Sequence, residues 1–376
     1  MPFFDELWTG VPVIEAPALE RTHALAHGGT AVMLLVAPAL LAAVLEVRLL
    51  MWAERGDPRR WIAGSQLVIA ACTAIAALAP AAGLLTLMLG LAGTASGVST
   101  SLAQGLVVAA DPEQGERSMM RWTLASALGD VAAPLLLAAT AAVGLGWQAA
   151  LLAVAALVGM HALAVSLGPR ASASAAGDEV GDALAFGLRD ALRHRRLMAW
   201  LAAATACTLL DEVLVAFAAL HLRLDRNASP STIAIAVAAW AAGSALALAI
   251  TERVLLRVSA RGVLGVAALA CTIAAALWWA LPSTAAVVGA LVVVGVTTAP
   301  LFPIAQAQAH AQVPGRGALI GAASQPFVLF ELVTPWLLGL AADRWGLGLA
   351  LALMAVGPAA LVGFALAPRA WVRPPS

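Results

Sequence analysis

The chain is built from twelve long apolar runs that are separated by short polar segments. The hydrocarbon core of a bilayer is about 30 Å thick, so a helix needs about 20 apolar residues to cross it. Each run is about that long, and the sequence therefore predicts an all-α polytopic membrane protein with twelve transmembrane helices. The predicted spans are 2–19, 28–50, 61–80, 82–109, 119–143, 147–168, 197–222, 231–251, 262–281, 284–310, 318–341 and 346–367.

The composition excludes several classes of function. Of the 376 residues, 62% are apolar and only 11% are charged, whereas a soluble domain carries about 25% charged residues. A soluble enzyme and a disordered chain are excluded, and so is a nucleic-acid binder, which needs a basic stripe. The three cysteines lie inside apolar runs, and no His or Cys spacing is typical of a metal site. We therefore expect neither a metal nor a cofactor.

The arginines predict how the chain is oriented. If loops alternate between the two sides, 17 of the 21 arginines lie on one side and 4 on the other. The positive-inside rule places the richer side in the cytoplasm, so both termini are predicted to be cytoplasmic. The composition is typical of a bacterial protein. We expect a monomeric, multi-pass protein in a bacterial inner membrane, surrounded by the lipid bilayer.

The two halves of the chain resemble each other. A polar linker at 169–196 separates 1–168 from 197–376. Such duplications are the architecture of secondary transporters, which bind substrate near the midplane. The halves are therefore predicted to form two pseudo-symmetric six-helix bundles. Three matches recur in the same order, 201 to 206 positions apart: Asp5-Glu6 with Asp211-Glu212, Gln104 with Gln306, and Asp130 with Glu331. Asp130 and Glu331 each lie four residues before a proline.

Comparison of the two halves suggests that the first run is shorter than its counterpart, the seventh run. Fourteen residues of the seventh run precede Asp211, but only four residues precede Asp5. We expect that the native chain begins further upstream and that Asp5 and Glu6 lie well inside the membrane. Glu15 then lies deep in the first helix, or near the outer surface if that helix ends early.

Twelve helices in two groups of six, with a long basic middle loop, resemble the major facilitator superfamily over essentially the whole chain. The marker of that family is a Gly-x-x-x-Asp-Arg-x-Gly-Arg-Arg pattern between helices two and three. The resemblance implies that the acid and the arginines of this loop latch helix ends as a cytoplasmic gate. Ordinary positive-inside charge is the alternative. Within the superfamily there is a weak similarity to fosmidomycin-resistance-type efflux proteins. The residues of the degenerate motif are Glu54, Arg55, Asp57, Arg59 and Arg60.

Acids inside the spans are the candidates for proton coupling. An ionisable group in hydrocarbon costs at least about 2.5 kcal/mol, so its presence suggests a function. A structural ion pair or hydrogen bond between helices is the alternative. Glu46, near the inner end of the second run, is expected to form an interfacial ion pair with Arg48. The candidate proton carriers, the first pair strongest, are Asp211 with Glu212, Asp5 with Glu6, and Asp130 with Glu331.

A second set of residues could contact substrate. The resemblance implies that helices four and ten line the cavity, where Gln104 and Gln306 could bind a solute or join helices. Tryptophans inside spans could stack on a solute or simply pack. His310, near the end of the tenth run, is expected to be solvated. The candidate substrate residues are Gln104, Gln306, Trp8, Trp240, Trp336 and Glu15.

These observations predict a secondary transporter that moves a small organic solute by alternating access. The apolar lining and the few fixed charges favour proton-coupled efflux of a neutral or hydrophobic solute. Proton-coupled uptake of a metabolite or sugar is the alternative. A membrane-embedded enzyme or a non-transporting sensor is the alternative from another class, but the sequence has no polar catalytic cluster and no added soluble domain.

Overall fold

A computed structural model describes residues 1–23, 29, 32–168 and 187–367, without the side chains of Leu35, Leu209, Asp211 and Glu212. In these ranges the regular structure is helical, and no strand occurs. The residues before 169 form α1 (Pro2–Ile14), α2 (Ala16–His23), α3 (Ala37–Ala53, after a π-helical turn at Val32–Val36), α4 (Pro58–Ala77), α5 (Ala82–Ala110), α6 (Gly115–Ala142) and α7 (Trp147–Leu167).

The described residues after 186 continue the helical pattern. They form α8 (Leu188–Arg193), α9 (Arg195–Leu224), α10 (Pro230–Val254), α11 (Ala260–Leu277), α12 (Thr284–Thr298), α13 (Leu301–Gln312), α14 (Gly317–Trp345), α15 (Leu347–Leu353) and α16 (Val356–Leu366).

Eleven helical segments among the described residues are long and apolar enough to cross a membrane. The first predicted run is the exception, because it is divided at Glu15 into α1 and α2. Pro17 stands in the first turn of α2, where its fixed backbone angle suits a helix start. The early end of α1 places Glu15 in a turn. The tenth run is likewise divided before Pro300, which has no N–H to continue the helical hydrogen bonds.

The chain forms two compact units. Unit 1 comprises Met1–Leu106, Ala125–His194 and Gly315–Gln325, and unit 2 comprises Val107–Leu124, Arg195–Pro314 and Pro326–Ser376. Residues 107–124 of the first half thus cluster with unit 2, and residues 315–325 of the second half cluster with unit 1.

Within unit 1, α1 packs very closely on α6 because both helices present small residues at the contact. A Cβ on Gly10 would lie 2.9 Å from the Cβ of Ala133. A Cβ on Gly129 would overlap the backbone carbonyl of Phe3 and would lie 2.9 Å from the Cβ of Glu6. Small residues let helix backbones approach in this way. The contact brings the acids of α1 against α6.

In both units an arginine at the start of one helix binds the carbonyl end of another helix. In unit 1 the Arg59 guanidinium at the start of α4 donates to the carbonyl oxygens of Val165 (2.7 Å), Ser166 (3.2 Å) and Gly168 at the end of α7. In unit 2 Arg261, at the start of α11, donates to the carbonyls of Ala365 (2.5 Å) and Ala367 at the end of α16. A helix end leaves carbonyl oxygens without partners, which these arginines satisfy. The two arginines are 202 positions apart.

The α1–α6 contact can be tested by adding a single methyl group. Gly129→Ala should destabilise the protein by about 1–3 kcal/mol, because the new Cβ overlaps α1. Gly93→Ala in α5 is the matched control, since nothing lies within 4 Å of a Cβ there. Its effect should be neutral or slightly stabilising. The measurement is the thermal unfolding midpoint of the purified protein, and equal midpoints for the two variants would contradict the close packing.

Candidate functional site

Unit 1 collects four carboxyl groups inside its helices: Asp5 and Glu6 on α1, Glu46 on α3 and Asp130 on α6. In the part of the chain that the structure describes, no arginine forms an ion pair with Asp5, Glu46 or Asp130. We call these four residues the acid cluster. The sequence analysis singled out Asp5, Glu6 and Asp130 as proton carriers, but not Glu46.

Asp5 is held by hydrogen-bond donors from its own helix and from α5. The indole N–H of Trp8 donates to Asp5 Oδ1 at 2.9 Å, and the Ser96 hydroxyl donates to the same oxygen. The hydroxyl of Thr100 donates to Oδ2 at 3.4 Å. An ionised carboxylate only accepts hydrogen bonds, and here both oxygens have donors. Trp8, a candidate for stacking on substrate, is 5% exposed and positions Asp5.

The carboxyl groups of Glu6 on α1 and Asp130 on α6 are close enough to interact with each other. The hydroxyl of Ser126 also donates to Glu6 Oε1 at 2.6 Å. Two ionised carboxylates have no proton to share, so a hydrogen bond between them requires one bound proton. Asp130 is exposed on α6, whereas Glu6 is half-buried. One proton bound to either acid would allow the two carboxyl groups to hydrogen-bond to each other.

Glu46 is the residue for which the expectation was wrong. Its side chain does not form an interfacial pair with Arg48, which is exposed. Instead Glu46 is 8% exposed, its carboxyl group lies directly against Gly97 of α5, and the side-chain amide of Gln325 hydrogen-bonds to it. The second predicted span ended at residue 50, but α3 continues to Ala53. Glu46 thus lies two turns inside the helix end rather than at it.

The residues of the degenerate motif divide into separate roles. Glu54 forms an ion pair with Arg316 (2.5 Å) and accepts a hydrogen bond from the Leu319 backbone N–H (3.2 Å). Asp57 caps the start of α4 by accepting from the backbone N–H of Arg59 (3.0 Å). The remaining motif residues are Arg59, which binds the end of α7, Arg60, which forms an exposed pair with Asp57 at 3.5 Å, and Arg55, which is exposed.

A related ion pair occurs in unit 2 and was missed in the sequence. Glu252, at the end of α10, binds Arg117 and Arg121 at the start of α6, each at 2.7 Å. The sequence does contain a signal for it. Glu252-Arg253 lies at the end of α10 as Glu54-Arg55 lies at the end of α3, 198 positions earlier, and Arg117 precedes Arg316 by 199 positions. Glu54–Arg316 and Glu252–Arg117 are therefore repeat-related pairs, each within one unit.

The other candidates are spread along the helices. Gln104 on α5 is buried, at 6% exposure, and Gln306 on α13 is half-buried. Trp240 is half-buried on α10, Trp336 is 64% exposed on α14, and Glu331 lies on α14 five residues before it. The helix α9 includes Asp211 and Glu212, whose side chains lie outside the described part of the structure.

His310 is not solvated as expected but is 2% exposed on α13. The surrounding residues of α13 are also buried, among them Gln308 and Gln312. Neither ring nitrogen of His310 has a hydrogen-bond partner among the described residues. Gln308 donates to Glu116 Oε1 at 2.7 Å. Among its described residues, unit 2 thus has a buried polar stretch of its own on α13, which contains amides and an imidazole.

Solved structures of transporters share the fold of this chain. The E. coli fucose:proton symporter FucP (N162A variant) matches with a TM-score of 0.76 at 13% identity, over 97% of this chain and 96% of that one. A structure of the major facilitator superfamily transporter FucP in an outward conformation matches with a TM-score of 0.71 at 14% identity, covering 97% and 96%.

The proton:xylose symporter XylE, bound to 6-bromo-6-deoxy-D-glucose, matches with a TM-score of 0.72 at 12% identity, over 96% of this chain and 92% of that one. No family model and no curated protein sequence matches the chain. At these identities the likeness establishes the fold.

The Glu54–Arg316 pair can be tested by removing and then exchanging its charges. Both side chains are largely buried, at 13% and 17% exposure. Glu54→Gln or Arg316→Gln should each cost about 1–3 kcal/mol, because the remaining charge loses its partner. The exchange of both residues, Glu54→Arg with Arg316→Glu, should recover part of that loss.

The readout is again the thermal unfolding midpoint. Arg60→Gln is the control, because Arg60 is 81% exposed and an exposed pair contributes about 0–1 kcal/mol. If the double exchange were as unstable as the sum of the single variants, the pairing would be refuted.

Proposed function

Because the chain has the major facilitator fold, we propose that it is a proton-coupled secondary transporter that moves a small uncharged organic solute by alternating access. The carboxyl pair of Glu6 and Asp130 carries this proposal, since two neighbouring carboxyl groups can share one proton. A group that binds and releases a proton inside the spans is what coupling to a proton gradient needs.

The setting of the pair supports reversible proton binding. An arginine beside Asp130 would favour its ionised form, and no described arginine forms an ion pair with Asp130. Asp130 lies on an exposed face of α6, and we propose that protons reach the pair from this face. Asp5, on the same turn of α1 as Glu6, has its own donors and is proposed as a neighbouring relay group.

The solute class follows from what surrounds the acids. Hydroxyl, indole and amide groups approach the acid cluster, and no described arginine there offers a partner for an anion. We propose a neutral solute. Gln104, Gln306, Trp240, Trp336 and Glu15 remain proposed contacts for it.

Efflux is the proposed direction, supported by the low content of fixed charge along the spans. Proton-coupled uptake of a sugar is the second candidate. The observation that favours it is the likeness to structures described as a fucose:proton symporter and a proton:xylose symporter.

The second half is proposed to contribute to coupling through Asp211, Glu212 and Glu331. Asp211-Glu212 occupies in α9 the repeat position of Asp5-Glu6 in α1. The ion pairs Glu54–Arg316 and Glu252–Arg117 are proposed to act as gate latches that break and reform during alternating access. The protein is further proposed to be a monomer of the bacterial inner membrane with both termini in the cytoplasm.

Proton coupling can be tested with Glu6→Gln and Asp130→Asn. Both variants keep hydrogen-bonding capacity but cannot exchange a proton. Proton flux should be measured in everted and right-side-out vesicles after addition of L-fucose, D-xylose or ethidium. With the wild-type protein, the sign of the flux distinguishes efflux from uptake. Either variant should lose the flux while facilitated exchange of the solute persists.

Glu113→Gln provides the control, because Glu113 is exposed in the turn before α6 and lies outside the acid cluster. It should keep wild-type flux. Unchanged proton flux in both Glu6→Gln and Asp130→Asn would show that the pair does not couple transport to protons.

A further inference from the structure

The first turns of α14 lie along α3 in a regular antiparallel register. On α3, Glu46 and Leu50 are four residues apart and Glu54 follows four residues later, so the three share one face. Each of the three side chains contacts a different part of the segment 316–325. Glu54 binds Arg316 and Leu319, Leu50 packs on Gly321, and Glu46 accepts from Gln325. We call these contacts the α3–α14 strip, all of which lies in unit 1.

The two ends of the strip differ in charge. At one end Glu54 has a positive partner, Arg316, at 2.5 Å. At the other end the neighbour of the Glu46 carboxyl group on α14 is the uncharged side-chain amide of Gln325. Glycines of α14 let this helix pack closely on its neighbours. A Cβ on Gly321 would collide with Ser101 of α5, and a Cβ on Gly317 would collide with the Ser101 backbone.

Charged groups around Glu46 do not offer a counter-ion. The α5 residue against its carboxyl group is Gly97, which has no side chain. On α1, the neighbouring ionisable group is Asp5, an acid that offers Glu46 no positive partner. Arg48 on α3 itself is exposed, and Arg316 on α14 is engaged by Glu54.

The hydrogen bonds between Glu46 and Gln325 are incomplete if Glu46 is a carboxylate. Gln325 donates its amide N–H to Glu46, but its buried amide oxygen, Oε1, has no donor among the described residues. A carboxylate has no hydrogen to give to that oxygen, whereas a carboxylic acid has one. A protonated Glu46 can therefore form two parallel hydrogen bonds with the Gln325 amide and leave no buried polar atom unsatisfied.

We propose that Glu46 is a second proton-binding residue. Protonated Glu46 forms two hydrogen bonds with the side-chain amide of Gln325, and these two bonds hold the first turns of α14 on α3. Release of the proton removes the hydrogen bond to Gln325 Oε1 and leaves a negative charge with no described cation beside it. The strip then loosens at the Glu46 end while Glu54–Arg316 still holds the other end. This proposal rests on the proposed function, because the proton that binds Glu46 is taken to be one that drives transport.

The bound proton can be observed directly by infrared spectroscopy of the purified protein in lipid nanodiscs, without any solute. Glu46→Gln should remove one carboxylic-acid C=O band that is present at neutral pH and shifts in D₂O. Glu113→Gln, the exposed control, should leave that band in place. The proposal is overturned if the Glu46→Gln spectrum retains every protonated-carboxyl band of the wild type.

The consequence for α14 can be measured by backbone hydrogen exchange of Gly317–Gln325, corrected for the intrinsic pH dependence of exchange. In the wild type, exchange of this segment should rise about fivefold at alkaline pH, the factor that corresponds to one net hydrogen bond. Glu46→Gln should stay slow at all pH values, because two amides also form a pair of hydrogen bonds. Glu46→Ala should exchange fast at all pH values.

Exchange that does not depend on pH in the wild type, or equal exchange in Glu46→Gln and Glu46→Ala, would overturn the proposal. Both measurements are made without transport. Their failure would therefore leave the Glu6–Asp130 pair and the transporter proposal untouched, and loss of coupling in the Glu6→Gln variant would not by itself affect Glu46.

Discussion

Hydrocarbon offers no hydrogen bonds, so each polar group within a membrane span must find its partner inside the protein. This constraint explains the acid cluster of unit 1. Asp5 is satisfied by donors from Trp8 and Thr100, and Glu6 accepts a hydrogen bond from Ser126. Where neither a cation nor enough donors are present, a bound proton can satisfy a carboxyl group. The same constraint that makes such acids costly makes them suitable for binding protons.

The duplicated plan is visible in the contacts at helix ends rather than in the helix interiors. Arg59 and Arg261 bind helix ends in the same way, and Glu54 and Glu252 each bind an arginine at the start of a long helix. The interiors differ. Unit 1 holds the acid cluster, whereas the described residues of α13 in unit 2 bury amides and His310. Contacts at helix ends thus keep the repeat, whereas the buried polar side chains described in the two units differ.

The predictions from sequence succeeded where a residue's neighbours along the chain decide its environment. Long apolar runs became helices. Glu54 does form an ion pair with Arg316, and its role in a gate stays a prediction. Glu46 and His310 were placed wrongly because both were judged by their distance from the end of a run. Their burial comes from other helices: Gly97 on α5 and Gln325 on α14 enclose Glu46.

The sequence by itself determined that the chain is a helical membrane protein and that few acids lie inside its spans. Both follow from the apolar length that a bilayer requires and from the cost of charge in hydrocarbon. Only the tertiary structure decided which acids meet and what each contacts. Glu6 reaches Asp130 because Gly10 and Gly129 let α1 approach α6, and that contact joins residues more than 120 positions apart. No local pattern encodes such a pairing, since it depends on how small residues on two distant helices fit together.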